Sequence, residues 1–88
     1  SFNWNGRSIG AGGLPRPAYT IQEEGRIVIN ITVDPKGNVI FAEVGRGTNI
    51  DNASMRKSAL DAARKAKFNS ISGANNQSGT ITYVYKFK

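Results

Sequence analysis

Residues that commonly carry acid-base, nucleophilic or metal chemistry are scarce in this sequence. It contains no His, no Cys and only six Asp and Glu residues. Glu23 and Glu24 are adjacent carboxylates, but they precede a predicted strand, in which neighbouring side chains point in opposite directions. We therefore interpret them as solvated turn charges. Because acid-base catalysis needs titratable groups that converge, the sequence predicts a protein that is not an enzyme.

Two other patterns are similar to ligand sites but lack their required features. The glycine-rich residues 10–13 match neither a phosphate-binding loop nor a dinucleotide fingerprint, and no helix pattern follows them. Asp34, Lys36 and Asn38 have the spacing of a calcium loop, but Pro35 and the lack of a downstream Glu break that pattern. We predict neither a cofactor nor a metal site.

Aromatic and basic residues are the remaining candidates for binding chemistry. Tyr83, Tyr85 and Phe87 alternate near two lysines, as in sheets that stack nucleic-acid bases. They share their face with Ile81, however, and such a row is more often the core side of a strand. We interpret it as core.

The charge balance favours an anionic partner without identifying it. Twelve Lys and Arg residues oppose six Asp and Glu residues, which gives a net charge of +6. This field attracts nucleic acid, anionic lipid or an acidic protein surface. Five basic residues lie mostly on the outer face of a predicted helix, where charges are usually only solvated; steering of an acidic partner is the alternative. These residues are Arg56, Lys57, Arg64, Lys65 and Lys67.

The elements that must position these residues begin with a hairpin. In residues 26–34, RIVINITVD, the apolar side chains of every second residue from Ile27 to Val33 fall on one face, which predicts a half-buried strand. Residues 34–37, DPKG, have the composition of a type I turn. A second strand is expected from Asn38 to about Val44.

A helix and a last strand complete the predicted fold. Asp51 or Asn52 is expected to cap a helix that runs to about Lys67 and packs through a stripe of Met55 and alanines. A polar loop follows, and residues 79–88 alternate again as a strand. The order strand, strand, helix, strand predicts an α+β two-layer domain, with a three-stranded antiparallel sheet packed by one main helix.

The N-terminal residues are predicted to lie outside that domain. Residues 1–13 show neither the helical nor the strand period of hydrophobic residues, and we interpret them as a linker or an extended arm. The domain is therefore predicted to span residues 14–88. The prolines of residues 14–19, LPRPAY, favour an extended segment along the surface. No apolar run approaches the roughly 18 residues that a membrane-spanning helix needs.

The hairpin sequence resembles the hallmark of the TonB C-terminal family. In residues 24–39, EGRIVINITVDPKGNV, a Gly opens an alternating strand and Asp-x-x-Gly-x-Val follows. Residues 55–68 are similar to the family helix, which has small residues and a closing aromatic, here Phe68. Residues 79–87 resemble the last strand. Two departures are the reordering of the family's Tyr-Pro within LPRPAY and the absence of a Pro soon after Phe68.

The resemblance implies a periplasmic energy-transducer domain. Its parent would be anchored in the inner membrane by one N-terminal helix and would work with a proton-motive-force-driven motor of the ExbB/ExbD type. The domain would bind the TonB box, an extended peptide of outer-membrane TonB-dependent transporters for siderophores, vitamins or glycans.

The resemblance also indicates where the partner binds. The family uses its last strand as the docking edge, and a sheet edge offers backbone groups for strand addition. The predicted docking residues are Thr80, Ile81, Thr82, Tyr83, Val84, Tyr85, Lys86, Phe87 and Lys88. The extended segment before the first strand is expected to form a second contact through Pro15, Arg16, Pro17 and Tyr19.

Two other functions remain open at this point. A TolA-like envelope adaptor has a similar small α+β end domain, although the Gly-strand-Asp-x-x-Gly-x-Val pattern fits TonB better. A basic nucleic-acid-binding module is less favoured, and we expect no nucleic-acid partner. An open sheet edge also allows a strand-exchanged dimer.

Overall fold

The computed structural model describes residues 2–3, 14–15, 20–70 and 75–88, with the backbone alone for residues 2–3. The predicted extended course of Arg16, Pro17 and Tyr19 lies outside the described residues, as does most of the predicted linker. Within the described part, no helix is long and apolar enough to span a bilayer.

The sheet has three long strands and one very short one, all antiparallel. The strands are β1 (Phe2–Asn3), β2 (Gly25–Val33), β3 (Val39–Val44) and β4 (Gln77–Tyr85), and the single helix α1 spans Ala53–Arg64. Their order across the sheet is β1-β4-β2-β3. The three long strands and α1 confirm the predicted α+β fold. Strand β1 was not predicted, because residues 1–13 were interpreted as a linker or arm.

The core lies between α1 and one face of the sheet. Every second residue of β2 from Ile27 to Val33 is buried, as the alternation predicts. Helix α1 packs mainly on β3 and β2 and presents Met55 and small side chains to them. Alanines allow the helix to approach the sheet closely, so that the apolar residues of both layers form one core cluster.

The predicted turn joins β2 to β3. The Gly37 amide donates to the Asp34 carbonyl at 3.0 Å, and the Asp34 carboxylate accepts from the amides of Lys36 and Asn38 at 3.0 and 2.9 Å. These bonds, led by the one from Asn38, hold the pKa of Asp34 below its usual value. The ionised Asp34 side chain therefore stabilises the turn.

Helix α1 begins as predicted and ends earlier. The Asn52 side chain accepts a hydrogen bond from the Met55 amide at 2.9 Å and caps the first turn. The helix ends at Arg64 instead of about Lys67. The chain then leaves the helix so that the Phe68 amide donates to the Gly37 carbonyl at 2.9 Å and the Phe68 ring is buried. Burial of the ring therefore decides where the helix stops.

The last strand is displaced from its predicted position. It runs from Gln77 to Tyr85 instead of from residue 79 to residue 88, because its final partner on β2 is Gly25, opposite Tyr85. Beyond that pair there is no facing residue of β2. Phe87 is 57% exposed, so its predicted place on the core face is wrong, whereas Tyr83 and Tyr85 are buried there.

The basic face of α1 is more closely bound to the fold than the sequence indicates. The Arg56 Nε atom donates to the Ile50 carbonyl at 2.7 Å. Asp61 accepts from Lys57 at 2.9 Å and from Arg64 at 3.4 Å. Exposed ion pairs of this kind contribute little, but the Arg56 bond anchors the loop before the helix. Its interpretation as a merely solvated charge is therefore wrong.

Candidate peptide-docking edge

The hydrogen bonds of β2 determine which backbone groups of β4 face outward. Val28 accepts from the Gly45 amide at 2.8 Å and donates to Thr48 Oγ1 at 2.9 Å, both on the β3 side. Arg26 makes an equivalent pair of bonds with Asn49. Because backbone groups alternate sides along a strand, the odd-numbered residues of β2 face β4.

The opposite residues of β4 follow the same alternation. Ile29 faces Ile81, Ile27 faces Tyr83 and Gly25 faces Tyr85, so these β4 residues direct their amides and carbonyls toward β2. The residues between them direct their backbone groups away from β2, toward the other edge of β4. The outward-facing residues are Ser78, Thr80, Thr82 and Val84.

Part of this outward edge is paired with β1. The register places Phe2 opposite Ile81 and Asn3 opposite Thr80. Since Thr80 is an outward-facing residue, Asn3 and Thr80 form the hydrogen-bonded pair of this short ladder. Val84, near the other end of the strand, lies outside the β1 pairing. The predicted docking residues 80 to 85 therefore form a strand whose outer side is shared with the N-terminal segment.

A second segment lies against the core face of β4. The Tyr83 hydroxyl donates to the Pro15 carbonyl at 2.9 Å, and Leu14 and Ile21 are partly buried against the core. Burial raises the pKa of Tyr83 to about 12. Of the predicted second contact, Pro15 is thus placed beside β4, while Arg16, Pro17 and Tyr19 lie outside the described residues.

The end of β4 exposes both apolar and basic side chains. Val84 is 64% exposed and Phe87 is 57% exposed, and Lys86 and Lys88 are exposed beside them. The Phe87 amide donates to Glu24 Oε2 at 2.9 Å, which holds the chain after β4 close to the start of β2. This surface can contact an apolar and an acidic side chain of a partner.

The two adjacent glutamates do not form an acid-base pair. Glu24 binds the Phe87 amide, and Glu23 Oε1 accepts from the Asp51 amide at 3.3 Å. Each carboxylate therefore holds a different segment, while Glu24 stays exposed to solvent as predicted and Glu23 is partly exposed. Among the described residues, no group of three or more carboxylates could hold a metal ion.

The outer face of the sheet carries a shallow groove beside this edge. Its volume is about 380 Å3, and its lining includes Phe41, Glu43, Ser78 and Thr80. Thr80 thus belongs both to the groove and to the outward-facing backbone row. Side chains of a strand added beyond β4 would lie next to this groove.

Sequence reasoning missed two features of the edge. The exposed Val84 follows from the alternation that buries Tyr83 and Tyr85, because the intervening residue must face the other side. The sequence indicates the β1 strand only weakly, through the alternation of apolar and polar residues in residues 2–5, FNWN. Four residues are too few to distinguish a strand from chance.

These features define a small α+β domain, with a strand edge that β1 covers in part and with no converging catalytic groups among the described residues. The family model of the Gram-negative bacterial TonB protein C-terminal domain matches residues 14–88. The chain therefore belongs to the TonB C-terminal family, whose members are periplasmic energy-transducer domains that interact with outer-membrane TonB-dependent receptors. Neither the search of curated proteins nor that of solved structures gave a match.

Proposed function

We propose that this domain binds the TonB box of outer-membrane TonB-dependent transporters by strand addition to β4. The observation that supports the proposal is the row of outward-facing backbone groups from Ser78 to Val84, which follows from the register of β2 and β4. A peptide in an extended conformation can continue the sheet by bonding to these groups. Hydrogen bonds to the peptide backbone do not depend on the side chains of the peptide, so one domain can bind several transporters.

Strand addition also suits the transmission of force. A peptide paired along β4 loads several hydrogen bonds together when it is pulled along its length, and each contributes roughly 0.5 to 1.5 kcal/mol in water. The pull would come from a proton-motive-force-driven inner-membrane motor of the ExbB/ExbD type, through the N-terminal anchor helix of the parent protein. The result is active import of a nutrient such as a siderophore, a vitamin or a glycan.

The side chains around the edge favour an apolar and acidic peptide. A peptide residue beside Val84 would cover an apolar side chain that is 64% exposed, and its neighbours would meet Lys86 and Lys88. The net charge of +6 favours association with an acidic segment. On the core side, the peptide would pass close to Pro15, where residues 14–19 can form the second contact.

The second contact has its own test. Replacement of Pro15 and Pro17 by Ala removes the restriction of their φ angles, which favours an extended conformation. We expect weaker binding of the peptide by the double variant. An unchanged peptide affinity, measured by calorimetry, would exclude a role for this segment.

A matched pair of substitutions at Val84 tests strand addition. Val84→Pro removes an outward-facing amide without removing a bond to β2, whereas Val84→Thr keeps the amide and the branched shape. We expect Val84→Pro to weaken binding of a TonB-box peptide about 3- to 10-fold, the equivalent of one lost hydrogen bond, and Val84→Thr to change it little. Equal affinities of the two variants would contradict strand addition at this edge.

The same domain, isotopically labelled, should be titrated with TonB-box peptides and with an oligonucleotide. Amide shifts concentrated in residues 80–88 are the expected result. Saturable oligonucleotide binding without any peptide response would favour a nucleic-acid-binding module instead. Binding of an envelope protein other than a transporter would favour a TolA-like adaptor.

A further inference from the structure

The N-terminal residues of this chain occupy part of the edge that the proposed function assigns to the transporter. Phe2 lies opposite Ile81 and Asn3 lies opposite Thr80 in antiparallel register. Thr80 is one of the β4 residues whose amide and carbonyl face away from β2, and both groups are directed at Asn3 in this arrangement. A peptide strand and β1 cannot bond to Thr80 at the same time.

Strand β1 is short in the part of the chain that the structure describes. The part that the structure describes has two residues, and their pairing with β4 includes one hydrogen-bonded pair, Asn3 with Thr80. By contrast, β2 and β4 pair along nine residues each. The ordering of two residues opposes the gain from so few bonds, whereas a longer peptide would bond to Val84 as well as to Thr80. We therefore expect the longer strand to displace β1 from the edge.

We propose that Phe2–Asn3 is an internal competitor that covers the docking edge until a transporter peptide replaces it. This inference rests on the proposed function for the identity of the competing strand. A covered edge resists pairing with the edge of another chain, and a longer strand captures the edge when β1 is released. The apparent association constant for the peptide then equals the intrinsic constant multiplied by the fraction of molecules in which β1 is released.

The test uses two substitutions at one position in the full chain. Asn3→Pro removes the amide that bonds to Thr80, and Asn3→Ala keeps it. Hydrogen exchange of the Thr80 amide in the free protein is the first measurement, and calorimetry with a synthetic TonB-box peptide is the second. Asn3→Pro is expected to speed Thr80 exchange and to tighten peptide binding roughly 2- to 10-fold, while Asn3→Ala matches the unchanged protein in both.

The two measurements separate this inference from the proposed function. Unchanged Thr80 exchange in Asn3→Pro would overturn the inference, because β1 would then not hold the edge. Faster exchange with equal or weaker peptide binding would overturn it too, since β1 would then not be a competitor. If neither the unchanged protein nor Asn3→Pro bound any peptide, the proposed function would fail and the competitor role with it, whatever the exchange rates.

Discussion

Gly37 is the residue at which the β2–β3 turn meets the chain that leaves the helix. It has a φ angle of +92°, a conformation that glycine adopts at little cost and other residues rarely adopt. An added Cβ would lie 2.0 Å from the Phe68 carbonyl oxygen. The same glycine also accepts the hydrogen bond from the Phe68 amide. Both backbone conformation and close packing therefore require glycine here.

We predict that Gly37→Ala lowers the free energy of unfolding by about 2 to 4 kcal/mol, because it combines φ strain with a backbone clash. Gly47→Ala is the matched control, since Gly47 has the same φ of +92° but its added Cβ would lie 3.3 Å from a Val28 methyl group. That variant should lose only about 1 to 2 kcal/mol. Denaturant unfolding measures both, and equal losses would show that the clash with Phe68 is relieved.

Glu24 illustrates how a carboxylate gains a structural role from its neighbours. In the sequence it is one of two adjacent charges before a strand. In the fold it accepts the Phe87 amide at 2.9 Å, and so it holds the chain that follows β4 beside the first residue of β2. The basic and apolar side chains after β4 are thereby kept near the proposed docking edge.

At the scale of elements, β4 is the strand on which the other segments converge. It pairs with β2 along its whole length and with β1 at two residues. The segment before β2 contacts β4 through the bond from Tyr83 to Pro15, and its Leu14 packs against the core. Because α1 packs mainly on β3 and β2, β4 depends on this segment for part of its burial.

Tyr83→Phe tests that dependence. The variant loses the hydrogen bond to Pro15, and we expect the free energy of unfolding at neutral pH to fall by about 1 kcal/mol. Burial raises the pKa of Tyr83 to about 12, above its value of about 10 in the unfolded chain. The stability that this group contributes is therefore present below pH 10 and is lost as the pH rises from about 10 to about 12.

The measurement is denaturant unfolding of both proteins from pH 7 to pH 11. The unchanged protein should lose stability above pH 10 more steeply than Tyr83→Phe, so that the difference between them shrinks. A difference that stays constant across this range would mean that Tyr83 ionises equally easily in the folded and unfolded states. The burial argument would then be wrong.

For the whole molecule, the net charge of +6 is the property that acts at the longest range. Many of its cations are exposed, including Lys86 and Lys88 next to the end of β4. Charges of this kind speed the encounter with an acidic partner more than they strengthen the final complex. Salt screens them, because the Debye length falls from about 30 Å at 0.01 M to about 3 Å at 1 M.

We predict that added salt slows association of an acidic TonB-box peptide about tenfold across that range and changes the dissociation rate little. Stopped-flow or surface-based kinetics would measure both rates. A peptide in which the acidic residues are replaced by their amides is the control, and its association rate should vary less. A steep loss of affinity carried by the dissociation rate would instead indicate ion pairs buried in the interface.

Much of this fold is predictable because its signals are local. The alternation in β2 and the turn at residues 34–37 depend on residues close together in the chain, as does the cap at Asn52, and all three are observed. The motif of residues 24–39, together with the helix and the last strand, likewise indicates the family. Local signals cannot place the ends of elements that stop for tertiary reasons. Helix α1 ends at Arg64, where Phe68 must reach the core. Strand β4 ends at Tyr85, where β2 offers no further partner.

The sequence by itself determined the class of fold and the family, because both depend on periodicity and on motifs within single segments. The choice of the last strand as the proposed site came from the family resemblance and stays a prediction. Only the tertiary structure decided which backbone groups of β4 face outward, because that depends on the register with β2. It also placed Phe2–Asn3 against Thr80 and Ile81 and Glu24 against Phe87. These contacts join residues far apart in the chain, and no local pattern specifies which distant backbone groups will meet.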